Sequence, residues 1–117
     1  MSTQCNSLKI SPMGGGRKPA PEVIRIRTQM FCQRKFCRNA DALEAEQRTV
    51  VAFTLRRFEI PVHSIAFWLD VNRSTIYSDL QAAQLYVLRP NTNSARIFAE
   101  QVDRLQAFIL YNARWLP

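Results

Sequence analysis

The chain has 117 residues, a formal net charge of +7 and an isoelectric point near 10.0, with 47% of its residues hydrophobic. That length suits one domain with a modest core rather than two, and the composition excludes a chain too polar to collapse. No run of about 18 apolar residues is present to span a bilayer, and the start of the chain lacks the apolar segment of a secretory signal, so a cytoplasmic protein is expected.

The basic balance points to an anionic partner, nucleic acid ahead of a membrane surface. Its placement is uneven. Residues 1–38 hold eight Lys or Arg against one acid, Glu22, whereas residues 39–117 hold eight of each. Attraction to a polyanion is therefore expected from the N-terminal third. The three cysteines, Cys5, Cys32 and Cys37, follow no framework spacing and read as reduced thiols. With His63 the only histidine, no metal site is expected.

Residues 1–20, rich in Ser, Gly, Pro and cations, read as a flexible basic arm. The run Gly14 to Lys18 lacks the order of a phosphate loop, so no nucleotide or other cofactor is expected. Pro21 suits a first helical position, and Val23, Ile26 and Met30, with Ile24 and Phe31 beside them, predict a helix over 21–32. Residues 33–39 carry Arg34, Lys35 and Arg38 around Phe36 and read as a basic loop or frayed helix end, either a solvated charge run or a phosphate contact. Asp41 followed by Glu44 predicts a capped start for a second helix. That helix runs through Val50, Val51, Phe53, Leu55 and Phe58 with apolar residues on more than one face, predicting deep burial, and Pro61 stops it.

Residues 62–81 read VHSIAFWLDVNRSTIYSDLQ, the pattern of two short helices crossing at a sharp turn. Ile65, Leu69, Val71 and Ile76 are the expected glue, and Ala66 is small where the helices approach. Asp70 stands where the backbone turns left-handed, a conformation Asp tolerates better than most residues. Capped by Asn72, the second helix is expected to expose Arg73, Ser74, Tyr77, Ser78 and Gln81, with Thr75 beside them. Arg73 suits guanine, Gln81 suits adenine, and the hydroxyls suit phosphates or base edges. Residues 89–94 form a turn cluster in which Asn93 or Ser94 would cap a last helix over 95–113. Phe98, Val102, Leu105 and Ile109, extended by Asn112 and Leu116, form its apolar seam. The seam either packs back onto the domain or pairs with a second copy in a homodimer.

The run Asn72-Arg73-Ser74-Thr75-Ile76 resembles the D-H-S-T-V signature of the C-terminal duplex-binding domain of the bacterial replication initiator DnaA, in the Trp-repressor-like helix-turn-helix superfamily. Asn replaces Asp, Arg replaces His, and the turn is one residue shorter. A first helix, a basic stretch at Arg34 to Arg38, Arg48 opening a long helix, the motif and a final helix follow the same order over residues 22–112. The resemblance implies duplex contacts by Arg34, Lys35, Arg38, Asn72, Arg73, Ser74 and Thr75, without the initiator's ATPase half.

The fold expected is all-α, with about five helices including a helix-turn-helix in residues 21–117 behind the arm. The function expected is sequence-specific binding of double-stranded DNA, in transcription regulation or replication control of a bacterial or phage genome, near the nucleoid. Tyr77, Ser78 and Gln81 join the reading set, and Arg17, Lys18 and Arg48 join the phosphate set. The alternative is a module that binds the replication or transcription machinery, motivated by the neutral charge of residues 39–117 and by Trp68, Phe108 and Trp115. Catalysis is not expected: the nine acids form no paired constellation, and His63 has no nucleophile partner.

Overall fold

The computed structural model describes residues 18–111, and within them the chain is all helical. Five α-helices follow one another: α1 (Pro21–Phe31), α2 (Ala45–Arg57), α3 (Val62–Leu69), α4 (Arg73–Leu88) and α5 (Asn93–Tyr111). A π-helical turn, Cys32–Phe36, prolongs α1, and a 3-10 turn, Ala40–Ala42, precedes α2. The arm expected over residues 1–20 lies almost wholly outside the described residues, as do Asn112, Trp115 and Leu116.

Pro21 opens α1 as the sequence predicts, but the buried face differs. Ile24, Thr28 and Phe31 point inward while Ile26 is exposed. A threonine can occupy that row because its hydroxyl donates to the Ile24 carbonyl at 2.7 Å, so no polar hydrogen is left unmet. The basic stretch is wound rather than looped: its helical path ends only at Cys37, in the left-handed region at φ 57°.

α2 starts later than predicted. Glu44, not Asp41, is its N-cap residue, and the Glu44 N–H donates to Gln47 Oε1 at 3.0 Å, one arm of a capping box displaced by three residues. Its end differs too. Glu59 adopts φ 65°, the Ile60 N–H reaches the Leu55 carbonyl at 3.1 Å and the Glu59 N–H reaches that of Arg56 at 2.9 Å, a Schellman closure sealed by buried Ile60 and Leu55. Pro61 therefore does not stop α2; it serves as the N-cap residue of α3. α5 begins at Asn93 because Thr92 Oγ1 accepts the Ala95 N–H at 3.1 Å, two residues before the predicted start.

From Thr49 to Leu55, α2 has no exposed residue, and it packs against α3, α4 and α5. Phe98, Val102, Leu105 and Ile109 of α5 are each 3% exposed or less within the single chain. The seam is thus spent on this chain's own core, leaving none of the four on the surface. Ring contacts tie it in: Phe98 meets Phe53 edge-on at 5.3 Å, and Phe108 meets Phe31 at 5.9 Å in a tilted pair. Arg27 closes the α1–α5 contact by donating to the Ile109 carbonyl at 2.6 Å.

The two cysteines in this region differ sharply. Cys32 is fully buried, and burial pushes its thiol from the ordinary 9.0 up to about 12, whereas Cys37 is exposed. A raised folded-state value means that the Cys32 contribution to stability is whole below pH 9 and declines as pH rises toward 12. At neutral pH a thiol reagent should modify Cys37 and spare Cys32 until denaturant is added, as peptide mapping by mass spectrometry would read. Equal rates at the two sites would show that the end of α1 opens in the native state.

Candidate nucleic-acid interface

α3, a three-residue turn and α4 place the predicted reading residues. Ile65, Ala66 and Leu69 bury the inner face of α3, and Ile76 buries the start of α4, each as expected, while Val71 is only half-buried. Asp70 turns the chain at φ 56° and ψ 50°. Around it the Val71 N–H bonds the Ala66 carbonyl at 3.0 Å and the Asp70 N–H bonds that of Phe67 at 3.3 Å, so the last carbonyls of α3 are satisfied as the direction changes.

With the inner face fixed, helical spacing decides what faces out. Asn72, Arg73, Ser74, Tyr77, Ser78 and Gln81 are exposed together, and Thr75 is half-buried. Asn72 holds the N-cap position, yet its side chain forms no capping bond, contrary to expectation. The Asn72 carbonyl instead accepts the Thr75 N–H at 3.0 Å. Arg73 makes no ion pair or hydrogen bond among the described residues, nor does Lys35. The outward row therefore offers a fork-shaped cation, hydroxyls and an amide, a set able to bond phosphates and base edges.

The predicted phosphate residues are spread more widely. Arg17 lies outside the described residues. Lys18 pairs with Glu59 at 3.0 Å and Arg38 pairs with Glu44 at 3.1 Å, both in solvent, where such pairs hold only weakly and yield readily to another anion. The Arg34 guanidinium stands over the Phe108 ring at 5.8 Å. Arg48 is turned inward onto Asp79 of α4 and is not part of an exposed basic surface. The basic segment meets α3 through the 3-10 turn that follows it, and α3 joins α4 through the Asp70 turn.

Two contributors were not singled out in the sequence. Arg25 lies over the rings of Phe67 and Trp68 at 5.7 and 5.8 Å, linking α1 to the end of α3. Asp79 is the sole charge between Ser74 and Leu88 and falls in the inward row with Ile76 and Ala83. A lone acid in an apolar helical row is a signal for a buried partner. Of the aromatics expected on the surface, Phe108 is buried, Trp68 is half-buried and Trp115 lies outside the described residues. A cleft of about 220 Å³ between α2, α4 and α5 is lined by Glu44 and Glu46 with Tyr86, Ile97 and Phe98, and carries no cation to receive a phosphate.

The left-handed turn gives a test of this geometry. Asp70→Gly should keep or raise the melting temperature, while Asp70→Val should cost about 1–2 kcal/mol, because a branched Cβ crowds the carbonyl at positive φ. Equal thermal stability of the two variants would contradict the left-handed turn.

Comparisons of the chain with models of protein families, with curated proteins and with solved structures give no match.

Proposed function

We propose that this chain binds double-stranded DNA sequence-specifically as a helix-turn-helix protein, laying the N-terminal half of α4 in the major groove. The observation that carries the reading is the outward row Arg73, Ser74, Tyr77, Ser78 and Gln81, exposed together at the start of a helix whose back is packed into the core. Arg73 and Gln81 lie eight residues apart, about 12 Å along the helix, which spans several base pairs of the groove. The N-terminal backbone N–H groups and the helix dipole add partial positive charge where α4 would meet a phosphate.

Affinity would come largely from elsewhere. Among the described residues Lys35 makes no ion pair or hydrogen bond, Arg34 lies over a ring, Arg38 bonds exposed Glu44 and the Ala42 carbonyl, and the chain's charge of +7 favours approach to a polyanion. Together with the resemblance to the DnaA duplex-binding domain, this supports a role in transcription regulation or replication control of a bacterial or phage genome, in the cytoplasm at the nucleoid. Among the described residues no helix is long and apolar enough to cross a membrane.

A second reading draws on α4 past Gln81, where Leu85 and Leu88 are exposed on the same side as Tyr77. That end would suit a protein of the replication or transcription machinery. Its test is a pull-down that survives nuclease treatment and is lost in Leu85→Asp/Leu88→Asp.

Selection of bound duplexes from a random pool should enrich one sequence, with an affinity that falls steeply as salt rises. Arg73→Ala should cost about 1–3 kcal/mol on the selected duplex and relax preference at one position, whereas Lys35→Ala should weaken all duplexes alike. No salt-dependent mobility shift on any duplex, together with no enriched sequence, would sink the reading.

A further inference from the structure

We infer that the Arg48–Asp79 ion pair is a positioning clamp that sets how α4 is rotated, and thereby determines which sequence the protein prefers. The inference rests on the proposed reading of α4 as the helix that enters the groove.

The clamp joins two residues 31 apart in sequence, one on α2 and one on α4. Arg48 Nε donates to Asp79 Oδ2 at 2.6 Å and its Nη2 donates to Oδ1 at 3.1 Å, the two-bond fork of a planar guanidinium on a carboxylate. The Asp79 side chain is 7% exposed and that of Arg48 20%. The Thr49 hydroxyl, which donates to the Ala45 carbonyl at 2.9 Å, lies 3.5 Å from Asp79 Oδ1 and closes the acid from that side.

What this pair supplies is direction. Besides Asp79, α4 buries Ile76 and Ala83 fully and packs Leu80 and Tyr86 partly, Tyr86 against Phe98 at 4.9 Å, and such apolar contacts are less directional than a forked hydrogen bond. Among the described residues, Asp79 is the only α4 side chain hydrogen-bonded to another helix. Two parallel bonds to one plane fix both the distance and the angle of approach. Ser78 adjoins Asp79 in sequence, and Ser74 and Arg73 lie within the preceding two turns on the outward side. For a helix roughly 10–12 Å across, a 20° rotation about its axis would carry those side-chain tips about 2 Å, beyond the tolerance of a hydrogen bond to a base edge.

A pair that only held the fold together would behave differently from one that aims a helix, and replacing both members separates the two roles. Losing one partner strands a buried charge, whereas two apolar residues of similar volume commonly leave stability intact. In Arg48→Met/Asp79→Leu, helicity and melting temperature should therefore persist. The ratio of affinities for the selected duplex and a scrambled one should fall about tenfold or more, the worth of one base contact, while affinity for the scrambled duplex stays level. Arg48→Lys, which keeps the charge but cannot fork, should lose part of the same ratio. A folded double variant or Arg48→Lys with the wild-type ratio would overturn the clamp.

Amide hydrogen exchange in the free protein gives a readout that needs no DNA. Amides of Ser74 to Leu80 should exchange at least several-fold faster in the double variant, with those of Val50 to Leu55 unchanged. Undiminished protection in α4 would overturn the clamp even if the protein binds duplex. A wild-type protein that selects no sequence would instead defeat the reading of α4 on which the specificity claim rests.

Discussion

α2 is packed against α3, α4 and α5 at once, and the seven residues from Thr49 to Leu55 include none that is exposed. Two helical turns buried on every side leave the neighbouring helices little freedom, because each must supply a face shaped to the same small girdle of Val50, Val51, Ala52 and Leu55. α5 answers with a long apolar seam, and α3 with Ile65, Ala66 and Leu69. α4 offers less. Its inward row is Ile76, Asp79 and Ala83, and a polar group there is tolerated because Arg48 rises from α2 to meet it. The central helix thus supplies both the nonpolar floor under α4 and the forked ion pair that gives it direction.

Two left-handed residues, Glu59 and Asp70, bracket α3 and make it short. Each lets the helix before it close its last carbonyls by backbone bonds alone, so the chain turns twice between Glu59 and Asp70 without stranding polar groups. Neither residue is glycine, and both are exposed acids, whose side chains need no place in the core. α4 is consequently delivered by a tight turn at its first residue, with its outward face decided before any partner arrives.

The sequence discloses what periodicity and local chemistry control. Ile65, Leu69 and Ile76 fall on the buried side of the corner, Asp70 takes the left-handed turn, and Arg73, Ser74, Tyr77, Ser78 and Gln81 face outward. It misleads where polar letters are buried at no cost. Thr28, Thr49 and Thr54 occupy interior rows because each hydroxyl donates to the carbonyl four residues earlier, which an apolar-spacing pattern does not register. It also misplaces the start of α2, since Asp41 and Glu44 resemble a cap as well as Glu44 and Gln47 do. The fate of Arg48 was least legible. A cation opening a helix looks like a phosphate contact until the fold brings Asp79 beside it, and no local rule links residues so far apart.

Part of the charge in this chain is spent on its own fold. In the C-terminal part, Arg48 is held by Asp79 and Arg104 by Glu100, while Arg57, whose pKa burial lowers, is supported by the opposing charge of Asp103. Around the end of α1, Lys35 has no partner among the described residues, Arg34 faces a ring, and Arg38 holds an acid that solvent screens. The outer face of α4 carries no cation after Arg73. On the proposed reading, a helix so nearly uncharged contributes little to the attraction of a duplex, so it discriminates through bond geometry while the basic segment supplies the salt-sensitive affinity. The two quantities would then respond to different residues: salt and Lys35 would move affinity on every duplex, and the orientation of α4 would move only the preference among them.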